Sequence, residues 1–133
     1  MVVDTNVLVS GLLKLFSYPA RVIDMVYIGR LHCVFDDRIM HEYEEVLARP
    51  KFRQIISEKE RFDLLGYIVH SGSKILACPL EQRLSKAADP DDLPFAEVAA
   101  SGQAELIITG NFDHFSFFTN NAWGIKVISP REC

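Results

Sequence analysis

The sequence predicts an α/β domain: a central, mainly parallel sheet with helices on both faces. Three observations predict it. Short apolar, β-branched runs alternate with longer segments of helical periodicity through most of the chain, the pattern of βαβ units. Helix start and stop residues punctuate those segments. The chain has 133 residues with no internal repeat, low-complexity stretch or linker, so one domain spans residues 1–133.

The elements follow in order. Met1 to Val3 begins a buried strand. Asp4-Thr5-Asn6 interrupts the apolar run, and Val7 to Leu13 resumes it. Pro19 suits an early helical position. Val22, Ile23, Val26 and Ile28 supply a helical stripe that Gly29 stops, and Leu31 to Phe35 is a short strand. Asp36 or Asp37 caps the next helix, which runs to about Ala48 and ends at Arg49-Pro50-Lys51-Phe52. Ser57 and Glu60 have capping-box spacing, and the helix behind them turns Phe62, Leu65 and Val69 inward. Ile75 to Cys78 is a strand ended by Pro79. Asp89-Pro90-Asp91-Asp92 is a turn and a helix start. Phe95, Val98 and Ala99 carry that helix's apolar side, and Gly102 closes it. Glu105 to Thr109 is a strong buried strand with Thr109-Gly110-Asn111 as its C-terminal loop. Lys126 to Ile128 is the last strand, before Pro130.

Composition narrows the function classes. Hydrophobic residues make up 49% and charged residues 24%, an ordinary soluble mixture. The formal net charge of −4 argues against nonspecific wrapping of duplex nucleic acid, which takes a basic surface. It leaves room for a nuclease, which needs an acidic metal pocket and only local basic surface. Cys33, Cys78 and Cys133 are odd in number and widely spaced. With no CxxC pair they support neither a zinc ribbon nor a thioredoxin motif, and reduced thiols in a cytoplasmic protein are the simplest reading. The N-terminus shows no signal-peptide pattern, and no apolar run reaches the roughly 18 residues of a membrane span.

In an open α/β sheet, functional residues gather beyond the carboxyl ends of the strands. Asp4 follows the first strand, Asn111 and Asp113 follow the Glu105–Thr109 strand, Asp92 opens a helix, and Glu42 lies in the helix after Leu31–Phe35. Helix geometry selects Glu42 among its neighbours. At about 100° per residue, Ile39, Tyr43, Val46 and Leu47 define the buried stripe. Glu42 then falls on its flank and Glu45 nearly opposite. Clustered carboxylates suit phosphodiester cleavage, in which Mg²⁺ or Mn²⁺ activates water and neutralises developing charge. Such hard cations take oxygen ligands. Each residue also has a plainer role. Asp4 can cap a turn, Asp92 a helix, Glu42 can be a solvated acid, and Asp89 and Asp91 turn residues. Thr5, Asn6 and Thr109 can serve loop amides. The combination carries the reading.

Val2-Val3-Asp4-Thr5-Asn6-Val7-Leu8-Val9-Ser10 resembles the opening of PIN domains, where Asp-Thr-Asn follows the first strand. Glu42-Tyr43-Glu44-Glu45-Val46-Leu47-Ala48-Arg49-Pro50-Lys51-Phe52 resembles the second motif of the branch containing toxin components of toxin–antitoxin systems (VapC-like ribonucleases). Asp89-Pro90-Asp91-Asp92 with Phe95 and Glu97 resembles that branch's third motif. Ile108-Thr109-Gly110-Asn111-Phe112-Asp113-His114-Phe115 resembles its fourth, and Gly124 to Glu132 its close. Four motifs in order over essentially the whole chain make the resemblance strong. It implies a PIN-like three-layer α/β/α sandwich and a Mg²⁺- or Mn²⁺-dependent ribonuclease. By the same resemblance, Asp4 and Asp92 hold the main metal and Glu42 binds it through water or orients the attacking water. Thr5, Asn6 and Thr109 fix these acids by hydrogen bonds, and Glu97 lines the same cleft. Many PIN domains carry Asp where this chain has Asn111. Asn keeps a carbonyl ligand but removes a negative charge, which weakens metal binding unless Asp113 or Glu97 compensates. The resemblance also implies an RNA substrate, a homodimer and a small antitoxin.

Substrate signals are fainter. Arg49, Lys51 and Arg53, with Lys59 and Arg61, form a locally basic stretch suited to phosphates or to a solvated, salt-bridged helix face. Phe112, Phe115, Phe117 and Phe118 crowd around His114. They suit base stacking or a partner's helix, with core or subunit packing as the favoured role. Two other enzyme classes fit less well. Aspartyl-phosphate phosphatases carry a second Asp two residues after the first, where this chain has Asn6, and a response-regulator receiver has its acceptor Asp in a later strand. A non-catalytic PIN domain that binds RNA or protein is the stronger alternative, supported by Asn111 and the acidic net charge.

Overall fold

The first strand, β1 (Val2–Val3), is only two residues long, yet it sits at the centre of the molecule. In the computed structural model, which describes residues 1–133, it pairs in parallel with β4 (Leu106–Ile108), and β4 pairs in parallel with β5 (Lys126–Ile128). A second parallel pair joins β2 (Val34–Phe35) to β3 (Ser73–Lys74). The Val34 amide donates to the Met1 carbonyl at 2.7 Å. That bond bridges the two sheets into the order β3-β2-β1-β4-β5. Val2, Val3, Ile107 and Ile108 are all buried, as expected of parallel strands covered on both faces.

Chain connections move outward from β1 to β2 to β3, then return to the other side of β1 for β4 and β5. Strand order therefore reverses between β1 and β4. Such a switch point leaves a crevice beyond the carboxyl ends of the two strands, and the candidate site is found there.

Six α-helices complete the domain: α1 (Thr5–Leu13), α2 (Tyr18–Tyr27), α3 (Asp37–Leu47), α4 (Glu58–Ser71), α5 (Gln82–Ala87) and α6 (Leu93–Ser101). Local chemistry starts most of them where the sequence predicts. The Ser17 hydroxyl accepts from the Ala20 amide at 3.2 Å, with Pro19 in the first turn of α2. Asp36, rather than Asp37, caps α3 by accepting from the Ile39 amide at 2.9 Å. Ser57 and Glu60 form both bonds of the capping box at α4. Gly11 lets α1 approach α2 closely. A Cβ there would lie 2.5 Å from Ile23 Cδ1 and 2.9 Å from the Pro19 carbonyl oxygen.

Several expectations are corrected. The inner face of α4 is Leu64 and Ile68, both buried, whereas Phe62 is 69% and Val69 53% exposed. Two apolar stripes run along this helix: Leu64 and Ile68 join the central core, whereas Phe62 and Val69 border an open groove beside α3. The strand expected at Ile75–Cys78 lies earlier, at Ser73–Lys74. Backbone register with β2 decides this. The Ile75 amide makes the last bond, to the Phe35 carbonyl at 2.9 Å, and Leu76 beyond it is 92% exposed. The Leu31–Phe35 strand shortens to Val34–Phe35, and Ile28 falls outside α2 and is exposed. Helix α5 and the 3-10 segment Phe112–Phe118 carry no strong periodic signal and were not expected.

Candidate active site

Asp4 immediately follows β1, and its amide donates to the Ile108 carbonyl at 2.8 Å, extending the ladder to the strand's end. Its side chain meets the end of β4, where the fully buried Thr109 hydroxyl donates to Asp4 Oδ2 at 2.7 Å. The same hydroxyl accepts from the Asn111 amide at 3.0 Å, and Asn6 Oδ1 accepts from the Gly110 amide at 3.1 Å. Thr109 and Asn6 therefore lock the β1 and β4 loops together. Helix α3 is tied in from the side. The Thr5 hydroxyl donates to Glu42 Oε2, and the buried Tyr43 hydroxyl donates to the Val3 carbonyl. Thr5 and Thr109 thus each bond one of the cleft acids, whereas Asn6 bonds the Gly110 amide and no acid.

Asp92 stands at the start of α6, but its side chain caps nothing. It faces a cleft of about 330 Å³ together with Asp4, Glu42, Asp91, Thr5 and Asn6, with Val9, Val46, Phe52 and Phe95 as apolar wall. Larger cavities exist. The largest, about 700 Å³ between Cys78–Ala87 and Thr119–Trp123, has Glu81 as its only acid. Volume alone does not identify the site, and the convergence of acids does. Glu45, by contrast, is exposed and pairs with His41 at 3.7 Å.

Three of these carboxyls are raised above their ordinary pKa. For Asp4 the cause is burial, opposed by the Thr109 hydrogen bond and by His114. For Glu42 it is burial, then the nearby charges of Asp4 and Asp91, opposed by Thr5 and Arg49. For Asp92 it is burial, then the charges of Asp4, Asp89 and Asp91, which carry it to about 6. A desolvated, mutually repelling set of carboxylates favours a cation.

The donor set fits Mg²⁺ or Mn²⁺. All the candidate ligands are oxygen. Thr109 engages one oxygen of Asp4 and Thr5 one of Glu42, which leaves each a second oxygen, and Asp92 is free of any cap. No three His, Cys, Asp or Glu side chains close into a tight cage.

The other expected site residues lie elsewhere. Glu97 is a correction. It is 5% exposed but does not line the cleft. Its oxygens accept from Arg38 Nη1 at 2.8 Å and from the Leu80 amide at 3.0 Å. Arg38 Nε also donates to Asp36 Oδ2 at 2.7 Å, so Glu97 and Asp36 share one half-exposed arginine in a structural network. Asn111 and Asp113 are exposed and off the cleft wall. Arg49 is close enough to act on Glu42, and Lys51 lies 5.1 Å over the ring of Phe52, which lines the cleft. Arg53 is exposed just beyond. Phe115 and Phe118 are core residues, with Phe117 packed against both. His114 was the missed member. It lines the cleft with Nδ1 3.7 Å from Asp92 Oδ2. Its position three residues past Asn111, in the loop after β4, was the available signal.

Comparison with known proteins agrees with the fold. A family model described as PIN domain matches residues 1–113. Among curated proteins, an uncharacterized protein of Methanocaldococcus jannaschii is 25% identical over 145 residues, covering 99% of this chain and 87% of the relative. No solved structure matches.

Proposed function

The chain belongs to the PIN-domain family, and from that premise we propose that it is a Mg²⁺- or Mn²⁺-dependent endoribonuclease. PIN domains are in general nucleases, hydrolases that use divalent metals. The observation that carries the finer reading is the meeting of Asp4, Glu42 and Asp92, from three distant segments, in one cleft at the switch point. All three have raised affinity for protons.

In this reading Asp4 and Asp92 hold the cation, and Glu42, oriented by Thr5, holds or aligns the attacking water. A divalent ion bound there would activate that water and neutralise charge on the phosphate oxygens. Thr109 fixes the rotamer of Asp4, and Asn6 holds the β4 loop against α1. His114, when protonated, offsets one negative charge beside Asp92. Asn111, Asp113 and Glu97 are then outside the first ligand set.

A toxin role in a toxin–antitoxin pair follows from the motif resemblance. A homodimer or small antitoxin has an available apolar surface, the groove of about 470 Å³ lined by Met40, Phe62, Leu65 and Val69 on α3 and α4. A cytoplasmic location agrees with three free cysteines. No helix is long and apolar enough to cross a membrane.

The test is cleavage of a mixed-sequence single-stranded RNA in Mn²⁺ or Mg²⁺, against EDTA and the variants Asp4→Asn and Asp92→Asn. Cleavage lost in all three controls supports the metallonuclease. A catalytically degenerate binding module is favoured by one observation, Asn111 in the position many PIN domains give to Asp. RNA binding that survives EDTA, with no cleavage in either metal, would establish it instead.

A further inference from the structure

The acidic cleft does not end at its acids. Ser10 lines it, and Ser10 also lines a second concavity of about 650 Å³ at the far end of α1. The two concavities thus share a wall at Ser10 on α1, a helix that rises about 13 Å over nine residues.

The second concavity has the opposite character. Lys14 and Arg21 line it, and Tyr18 carries Arg21 at 5.9 Å and Arg131 at 6.0 Å from its ring centroid. The chain's seven ion pairs all lie elsewhere, so these three cations have no acidic partner. In a protein of net charge −4, three uncompensated cations around one pocket are a local reversal of sign. Phe16 completes the wall. It is 98% exposed, and its φ of +62° is an outlier for a bulky side chain. Exposing that ring and holding its backbone in the left-handed region both cost stability. Residues held this way cluster at ligand-binding positions.

We propose that the Lys14–Phe16–Tyr18–Arg21 pocket is a single-stranded RNA subsite. It would stack an unpaired base on Phe16 or Tyr18 and hold the flanking phosphates while the strand runs along α1 into the acidic cleft. Charge complementarity selects this occupant. Aromatic faces interleaved with unpaired cations match a single strand, whose bases are free to stack. A duplex keeps its bases stacked internally, so it offers no free base face to an aromatic ring. The inference rests on the nuclease reading of the cleft and adds where the substrate is gripped.

Binding in EDTA separates this proposal from catalysis. Fluorescence anisotropy would compare a labelled single-stranded RNA with a blunt RNA duplex of the same length. The variants are Phe16→Asn, which relieves the left-handed strain while removing the ring, and Arg21→Glu at an exposed position. Phe16→Asn should weaken single-strand binding by at least about fivefold, the scale of removing one base stack, with no loss of thermal stability. Arg21→Glu should lower the salt dependence of log Kd by about 0.7 for each phosphate that is no longer neutralised. In a cleaving enzyme both variants should raise KM and spare kcat. Folded variants that bind as wild type does, or wild type that binds no single strand, would overturn the subsite and leave a protein partner as the occupant. Binding that depends on Phe16 in a protein that never cleaves RNA would uphold the subsite and refute only the nuclease.

Discussion

Replacing Glu97 by alanine separates two roles for a buried acid next to an active site. A metal ligand, when removed, loses cation affinity, and the fold gains slightly from relief of charge. A structural acid, when removed, destabilises the fold. The structure favours the second. Loss of the carboxylate leaves the Leu80 amide, on a buried residue, without a partner, a cost of about 1–2 kcal/mol. One buried methylene adds about 0.8 kcal/mol. The Arg38 contact adds less than about 1 kcal/mol, because Arg38 is 48% exposed and solvent screens it. The total is about 2.5 kcal/mol, after allowance for the desolvation that the deleted carboxylate no longer suffers. For 133 residues the unfolding entropy is about 0.28 kcal/mol/K, so Tm should fall by roughly 9 °C. Glu97→Gln keeps an acceptor for the Leu80 amide and should fall by less than half as much. The assay is thermal unfolding in EDTA, followed by Mn²⁺ titration of the folded variant at low temperature. An unchanged Tm with abolished Mn²⁺ binding would refute the reasoning and return Glu97 to the metal site.

Other outcomes follow from the same geometry. Ser57→Ala removes the capping box of α4 and should cost about 1 kcal/mol, read as a lower Tm with RNA cleavage unchanged. In the metal-free protein, Asp92 has a folded pKa raised from 3.8 to about 6. The native state therefore binds its proton more tightly than the unfolded chain, and stability falls as pH rises through that window. The Tm of Asp92→Asn minus that of wild type, measured in EDTA, should grow between pH 4 and pH 7 and shrink when Mn²⁺ is added. A pH-independent difference would contradict the burial and repulsion that raise this carboxyl. Asn111→Asp should tighten Mn²⁺ binding by less than about tenfold, the Coulomb scale for a solvated charge several ångströms from a divalent ion. A larger gain in a calorimetric titration would make residue 111 a direct ligand.

Much of the site was legible because its residues sit at positions the chain direction dictates. Asp4 follows a strand of valines, and Thr109 ends another strand of the same kind. Parallel pairing brings those two ends together with no further information. Glu42 was legible from angle, since at about 100° per residue it falls on the flank of the buried stripe while Glu45 lies about 60° farther round. What failed was whatever depends on a partner far away in sequence. Glu97 looked like a cleft acid because it shares a motif with Asp92. It lies five residues along α6, however, and Arg38 on another helix, 59 residues away, claims it. Likewise Phe62 and Val69 are as apolar as Leu64 and Ile68, and only the way α4 docks on the central core decides which pair is buried. His114 lay between phenylalanines that drew attention to packing, and the 3-10 turn that brings it to Asp92 has no periodic signature.

The strands are two or three residues long, so backbone pairing alone cannot hold four loop ends in fixed relation. Side-chain bonds supply the rigidity. Thr109 to Asp4, Asn6 to Gly110, Thr5 to Glu42 and Tyr43 to Val3 each join segments distant in sequence. Three of these four bonds use a hydroxyl donor. A carboxylate oriented by a neutral hydroxyl keeps its full charge for a cation, whereas a lysine or arginine in the same place would neutralise it. The Asp36–Arg38–Glu97 network shows the contrast within one molecule. There the acids are paired with a guanidinium and serve the fold. In the cleft Asp4 and Glu42 are held by neutral hydroxyls instead, and with Asp92 they remain in mutual repulsion.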